Sequence, residues 1–495
     1  MMDLKDGVIP EDEGTRGTNE GRRVSRREFL KVAGIAGATV GMGAGLGGLV
    51  AACGGTATTT TGATAAPTTA PTTAPTTATT AAAVSTTVTS GAEAGREIKV
   101  GFVTPTTGAL ASFGIPDAYC VERWKETVAD GLVCGDGKKH PVTIVVKDSQ
   151  SDSNRAAQVA GDLIQNDKVD IMTAASTADT VVPVADQSEA AGVPCWTNDN
   201  PWESFFYGRK GDAKVGFKWT YHAFFGFGDW LAMYMDVWTQ LPTNKTIGWL
   251  SANTTDGNTA ATQLIPVIEK AGYKVMDGGR YQPGNEDFTS IISMYKKAGT
   301  QIIAGPVSPP GDFTNFWKQA IQQGLVPVMA TIGAALLFPE SVQALGDIGY
   351  GLCPEAWWHK TNPFKSSLTG ETCAQLAADY EKRTGREWTQ PLQHYVVFEL
   401  AADSLKRATD IDSKDAIIQA VKTTKLDTIA GHLDYTSTDP NLHPVPNVCT
   451  TQIAAGQWVK GTTWPYDITV IGNVKAPDVP LGGKLQPLSA FPAYK

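Results

Sequence analysis

The sequence is short of the residues that most enzyme and metal chemistry needs. Its six histidines, His140 to His443, are scattered without metal-ligand spacing. Seven cysteines contain no CxxC, which leaves zinc-ribbon and thioredoxin-type readings without support. GxxxxGK[ST], GxSxG and HExxH are all missing, so phosphate-loop, hydrolase-elbow and zincin chemistry have no motif to stand on. GDGKK at Gly135–Lys139 lacks the leading glycine spacing of a phosphate loop and reads as a turn. The SxxK at Ser293–Lys296 falls within an amphipathic helix pattern. Basic residues are outnumbered, 41 against 50 acidic, for a formal net charge of −9, and no basic cluster stands out. That balance argues against nucleic acid as a partner. No metal, cofactor or catalytic residue is expected.

The N-terminal region is processing chemistry rather than fold. SRREFLK at Ser25–Lys31 is a twin-arginine export signature, followed by the apolar stretch Val32–Ala52. The stretch ends in VAAC at Cys53, similar to the lipobox of bacterial lipoproteins, in which the cysteine is acylated. A stretch of this length could instead anchor in a bilayer, but its Gly and Ala content makes a poor spanning helix. GAGLGG at Gly43–Gly48 matches the dinucleotide fingerprint only formally, because no strand precedes it. From Gly54 to about Gly95 the chain is almost all Thr, Ala, Gly and Pro. It lacks the large apolar residues that offset ordering entropy, so a disordered tether is expected. The expected division is therefore a signal peptide at 1–52, then the lipidated Cys53 and tether at 53–95. No membrane span is visible after Ala52.

The remaining chain, Arg96–Lys495, exceeds the usual size of one core and suggests two lobes. Strand patterns at Ile98–Val103, Val142–Val146, Asp170–Thr173 and Val193–Thr197 alternate with helical ones at Asn154–Asn166 and Val181–Ala191. A second alternating set runs from Thr246 to Gln323, and long helices recur at Glu371–Arg383 and His394–Arg407. The class is α/β, with two open sheets and ligands expected beyond the strand C-termini. Beyond Cys53, six thiols in an exported chain allow three disulfides. Cys120 with Cys134 and Cys353 with Cys373 are the favoured pairs, with free buried thiols as the alternative.

Specific segments carry a resemblance. GFVTPTTGALASFG, then VTIVVKDSQSDSNRAAQVAGDLIQNDKVDIMTAASTADTVVPVADQSEAAGVPCWTNDNP, resembles the leucine/isoleucine/valine-type periplasmic binding proteins of ABC transporters. NPFKSSLTGETCAQLAADYEKRTGREWTQPLQHYVVFELAADSLKRA looks like the later first-lobe helices of that family. The resemblance implies a type I binding-protein fold, two Rossmann-like lobes joined by a three-strand hinge. Lobe 1 is expected at 96–220 plus about 354–445, and lobe 2 at about 221–353 plus 446–495.

Carried over by position, the resemblance places ligand contacts in several turns. Thr107, Ser112 and Phe113 fall in the first turn, with Phe113 at the aromatic position over the ligand. Ser176 and Thr177 fall in a hydroxyl turn that binds a carboxylate, and a helix N-terminus suits an anion there. Thr197, Asn198 and Asp199 occupy the next turn, and Trp202 follows Asn200–Pro201. In the second lobe Asp256 stands where the family has a stacking tyrosine, and Ser308 lies in the GPVSPPGD turn. No acid near Thr331–Gly333 corresponds to the one that grips an α-ammonium. Asp199 or Asp256 could take its place, or could simply cap helices. Tyr395, beside His394, is a further candidate. Trp230, Tyr234 and Trp238 fall at helical spacing and are assigned to the core.

The implied function is a lipid-anchored solute-binding protein, a monomer that is not an enzyme. Its solute would be an amino acid, an amide or an aromatic or organic acid. Its partner would be an ABC permease with cytoplasmic ATPases. A ligand-sensing receptor of the same fold, coupled to a signalling partner, is the alternative.

Overall fold

The computed structural model describes residues 91–495. The expected signal peptide, Cys53 and residues 53–90 of the expected tether lie outside the described residues. The last residues of that tether are ordered: Gly95 N–H donates to Lys139 O at 2.9 Å, and Lys139 N–H to Glu93 O at 2.8 Å.

Alternating strand and helix patterns build two sheets. The first holds β1 (Ile98–Thr104), β4 (Val142–Asp148), β5 (Ile171–Ala175), β6 (Cys195–Asn198), β7 (Thr220–Ala223) and β15 (Val448–Cys449), in the order β15-β7-β6-β5-β1-β4. Every pairing in it is parallel. The short hairpin β2 (Leu132–Val133) and β3 (Lys139–His140) stands apart from it. The second sheet holds β8 (Thr246–Ala252), β9 (Lys274–Tyr281), β10 (Ile302–Val307), β11 (Met329–Ala334) and β12 (Cys353–Ala356) in parallel. Two antiparallel strands, β16 (Ile453–Lys460) and β17 (Tyr466–Lys475), complete it, while β13 (Lys425–Thr428) and β14 (Gly431–Asp434) form a separate hairpin. The chain passes between the two sheets after Ala223, after Ala356 and between Cys449 and Ile453.

Each lobe has a point where strand order reverses. β1 lies between β4 and β5, and β8 lies between β9 and β10. Loops leaving these strands open a crevice at their C-terminal ends, where α/β sheets take ligands. Buried strands explain why β5 and β6 read as continuous apolar and small residues rather than as alternation. The covering helices are amphipathic: in Ser153–Gln165 the buried Ala156, Val159, Ala160 and Leu163 recur at helical spacing. Its start is set by Asp152, whose carboxylate accepts from Arg155 N–H at 2.8 Å. Helix Ala178–Ala191 ends at Gly192, whose φ of 67° suits glycine.

The expected disulfides are not formed. Cys120, Cys134, Cys353 and Cys373 are free and buried, as are Cys195 and Cys449. The thiol of Cys134 faces Leu132 O, that of Cys353 faces Gly351 O, and that of Cys373 faces Ile429 O. Cys353 opens β12 in the second sheet, whereas Cys373 starts helix Cys373–Thr384 and faces the turn between β13 and β14. Burial pushes the Cys134 and Cys373 thiols up to about 12, which suppresses the thiolate that disulfide exchange requires. Among the described residues no helix is long and apolar enough to cross a membrane.

Candidate functional site

The two crevices face each other and enclose a cavity of about 40 Å³, room for little more than ordered water. Phe113 comes from the loop after β1, Thr177 from the end of β5, and Asp199 from the end of β6. Asp256, from the first turn of helix Thr255–Lys270, and Glu355, on β12, face them from the second lobe. Phe224, Phe225, Phe227 and Trp230, on the chain that crosses between the lobes, supply an aromatic wall. Phe113 also meets Phe338 of the second lobe edge to face, with ring centroids 4.8 Å apart.

The three acids are held differently. Asp199 adopts φ 69°, and its Oδ2 lies 2.7 Å from His394 Nε2. The other ring nitrogen, Nδ1, lies 2.8 Å from Asp117 Oδ1, and Asp117 also accepts the Thr104 hydroxyl. Burial opposes charge on the imidazole, but the Asp117 charge and the two hydrogen bonds prevail, raising it to about 10. The ring is thus held toward its charged form between Asp117 and Asp199, although burial still raises the Asp199 carboxyl above its ordinary value.

Glu355 accepts from Ala334 N–H at 3.0 Å and from the Trp230 indole N–H. Asp256 has less: Oδ2 accepts from Ala178 N–H at 3.5 Å, Oδ1 makes no hydrogen bond of good geometry, and the Ser204 hydroxyl is the neutral polar group near the carboxylate. Neither acid has a basic side chain beside it in the cavity wall. Burial first, and then the neighbouring carboxylates, push both up to about 7. The hydroxyls of Ser176 and Thr177 are also buried and unpartnered. Buried polar atoms are nearly always hydrogen-bonded, so this group marks a place made for something polar.

Of the residues expected to touch a ligand, Phe113, Thr177, Asp199 and Asp256 line the cavity, and Ser176 adjoins Thr177. Thr197 lies beneath it, donating to Tyr221 O at 3.0 Å. Asn198 donates to Ala223 O. Trp202 is buried in a cluster with Phe205 and Phe206, behind the wall. Thr107 is exposed and bonded to Asp148, and Ser112 is half-buried nearby. Ser308 is half-buried two residues past the lining Pro306. Tyr395 is buried with its hydroxyl 3.2 Å from Thr127, away from the cavity.

Glu355 and Trp230 are among the lining residues not foreseen in that role. Glu355 is a lone acid in the apolar run LCPEAWW, and an acid in a buried strand is costly enough to be a signal. It packs against Gly333, where the resemblance left an acid wanting. Trp230 has the helical spacing of Tyr234 and Trp238, but it alone of the three reaches the cavity. Tyr234 and Trp238 bond to Cys353 O and Thr331 Oγ1 inside the second lobe.

A profile of the family described as periplasmic binding protein matches residues 97–457. The chain belongs to that family. Members of it bind ligands rather than transform them, and they work outside the cytoplasm. The fold of this binding protein is also that of solved structures. Leucine-binding protein LivK from Thermotoga maritima superposes with a TM-score of 0.62 at 16% identity, covering 76% of this chain and 99% of that one. LivJ from Streptococcus pneumoniae, solved with isoleucine, gives 0.59 at 18%, covering 76% and 99%. A solute-binding protein from R. palustris, solved with 4-hydroxybenzoate, gives 0.62 at 18%, covering 78% and 98%. No curated protein sequence matches this binding protein.

Proposed function

We propose that this protein captures a small organic solute between its lobes and delivers it to an ABC permease driven by cytoplasmic ATPases. The observation that carries the reading is the enclosed interlobe cavity with its unpartnered Ser176, Thr177 and Asp256 atoms. A solute larger than water must part the lobes beyond the arrangement described here; it then supplies the missing partners and drives closure around itself only by its extra affinity for the closed state. Export by the twin-arginine route and a lipid on Cys53 would hold the protein at the outer face of the membrane, a reading supported by SRREFLK and VAAC. The chain needs no nucleotide of its own, since the ATPases supply the energy.

The test is a thermal-shift screen of small solutes, because binding to the folded state raises the melting temperature by mass action. Any solute found must be recovered chemically unchanged. Phe113→Ala and Thr177→Val should weaken its binding at least tenfold. Full affinity in both variants would move the site elsewhere.

A further inference from the structure

The cleft has an obvious place for a carboxylate, and the protein already fills it. The start of helix Ala178–Ala191 lies beside the unpartnered hydroxyls of Ser176 and Thr177, an arrangement that attracts anions. Asp256 of the opposite lobe reaches that helix start and accepts from Ala178 N–H at 3.5 Å. The next residue, Asp179, places a second carboxylate in the same turn and accepts from Thr255 across the cleft. An incoming carboxylate would have to displace Asp256 or sit against it.

The charge count of the cavity points the same way. Asp199, Asp256 and Glu355 line it, and no lysine or arginine does. Of the three, only Asp199 has a basic partner, His394, and it shares that partner with Asp117. Glu355 is served only by neutral N–H donors, and Asp256 only by the Ala178 N–H and the nearby Ser204 hydroxyl, also neutral. A ligand carboxylate would be the fourth in an enclosed, poorly solvated space, where like charges are strongly disfavoured. A cation meets two uncompensated acids, and the rings of Phe224, Phe225 and Trp230 add faces that attract ammonium groups. Thr177, 4% exposed, lines the same cavity with an unpartnered hydroxyl that can accept an N–H.

We infer that the solute is a cationic amine with no carboxylate of its own, its ammonium group held between Asp256 and Glu355 against the aromatic wall. The inference rests on the solute-binding reading above and narrows it away from amino acids and aromatic acids.

The full-length protein, titrated calorimetrically and by thermal shift, distinguishes the two. The probes are matched sets: phenethylamine, phenylalanine and phenylacetate; isoamylamine, leucine and 4-methylpentanoate; and tetramethylammonium. Amines should bind at least tenfold more tightly than their matched amino acids, and the plain carboxylates should not bind. In Asp256→Asn and Glu355→Gln the amine affinity should fall at least tenfold while the ligand-free melting temperature is kept or raised, which separates lost recognition from misfolding. If amino acids or carboxylates bind as well as their matched amines, the inference is overturned and solute capture stands. Silence across all three charge classes overturns both.

Discussion

Asp179 and Thr255 tie the lobes together at the mouth of the cleft: one carboxylate oxygen, Oδ1, accepts the Thr255 hydroxyl at 2.6 Å and its backbone N–H at 3.2 Å. The tie is reciprocal, because Asp256, the next residue, returns its carboxylate to Ala178 N–H, next to Asp179. Two helix starts thus exchange acids, each meeting the favourable end of the other's dipole.

Removing one half of this exchange should loosen the closed arrangement. Hydrogen bonds to a charged group contribute roughly 1.5–3 kcal/mol, so Asp179→Ala should cut solute affinity by about tenfold or more. Small-angle scattering should report a larger radius of gyration for the ligand-free variant. An unchanged radius together with unchanged affinity would show that the contact does not hold the lobes.

Asp256 should cost the empty protein stability above acidic pH. Its carboxyl is raised to about 7 when folded, against an ordinary value of 3.8. The folded state therefore holds the proton longer, and stability falls as pH rises from about 4 through about 7. Asp256→Asn should melt higher than the parent at pH 8 and lose that advantage at pH 4. Equal differences at both pH values would remove burial of this charge as the cause.

Solute affinity should follow the same titration in the opposite sense. If an ammonium group binds ionised Asp256 and Glu355, with Asp179 and Asp199 as the nearby acids that raise Asp256, it must displace any protons they carry. Calorimetry should show affinity weakening below pH 7, by up to tenfold per pH unit for each proton displaced. A flat profile from pH 6 to 8 would contradict this.

The Asp117–His394–Asp199 array should be a major stabilising element of the first lobe. Taking the imidazolium from between two buried carboxylates leaves uncompensated charge, which costs about 3–5 kcal/mol in comparable cases. His394→Gln should show that loss in denaturant unfolding at pH 7. The histidine is raised from 6.5 to about 10, so its contribution is complete below pH 6.5 and disappears as pH climbs through about 10. The gap between parent and variant should narrow over that range.

Most of the scaffold was legible because buried parallel strands and amphipathic helices write their periods directly into the chain. Ile98–Val103 and Asn154–Asn166 were expected within a residue or two of β1 and of helix Ser153–Gln165. The turns at the strand ends were legible too, but it was the family resemblance that placed Phe113, Thr177 and Asp199 at one site, and they line one cavity. The second lobe was harder. Glu355 reaches the site from β12, and its meaning depends on Trp230 and Ala334, far away in sequence but within hydrogen-bond reach once the sheet forms. Trp230 shows the limit of periodicity: three aromatics share one helix face, and only tertiary packing decides which of them reaches the cavity. The cysteines failed for the opposite reason, since nearness in sequence between Cys353 and Cys373 hides a change of lobe.

The pairing of Glu93–Gly95 with Lys139 has a mechanical consequence. Any pull along the chain from residue 90 enters the molecule through the β2–β3 hairpin and the first sheet beside it, and reaches the second sheet only through the crossovers. If the protein is anchored through Cys53 as proposed, the first lobe becomes the clamped side and the second the arm free to swing. With the protein tethered to a surface through its N-terminal region, a distance label on helix Thr255–Lys270 should then move relative to that surface when solute is added, while one on helix Ser153–Gln165 stays still.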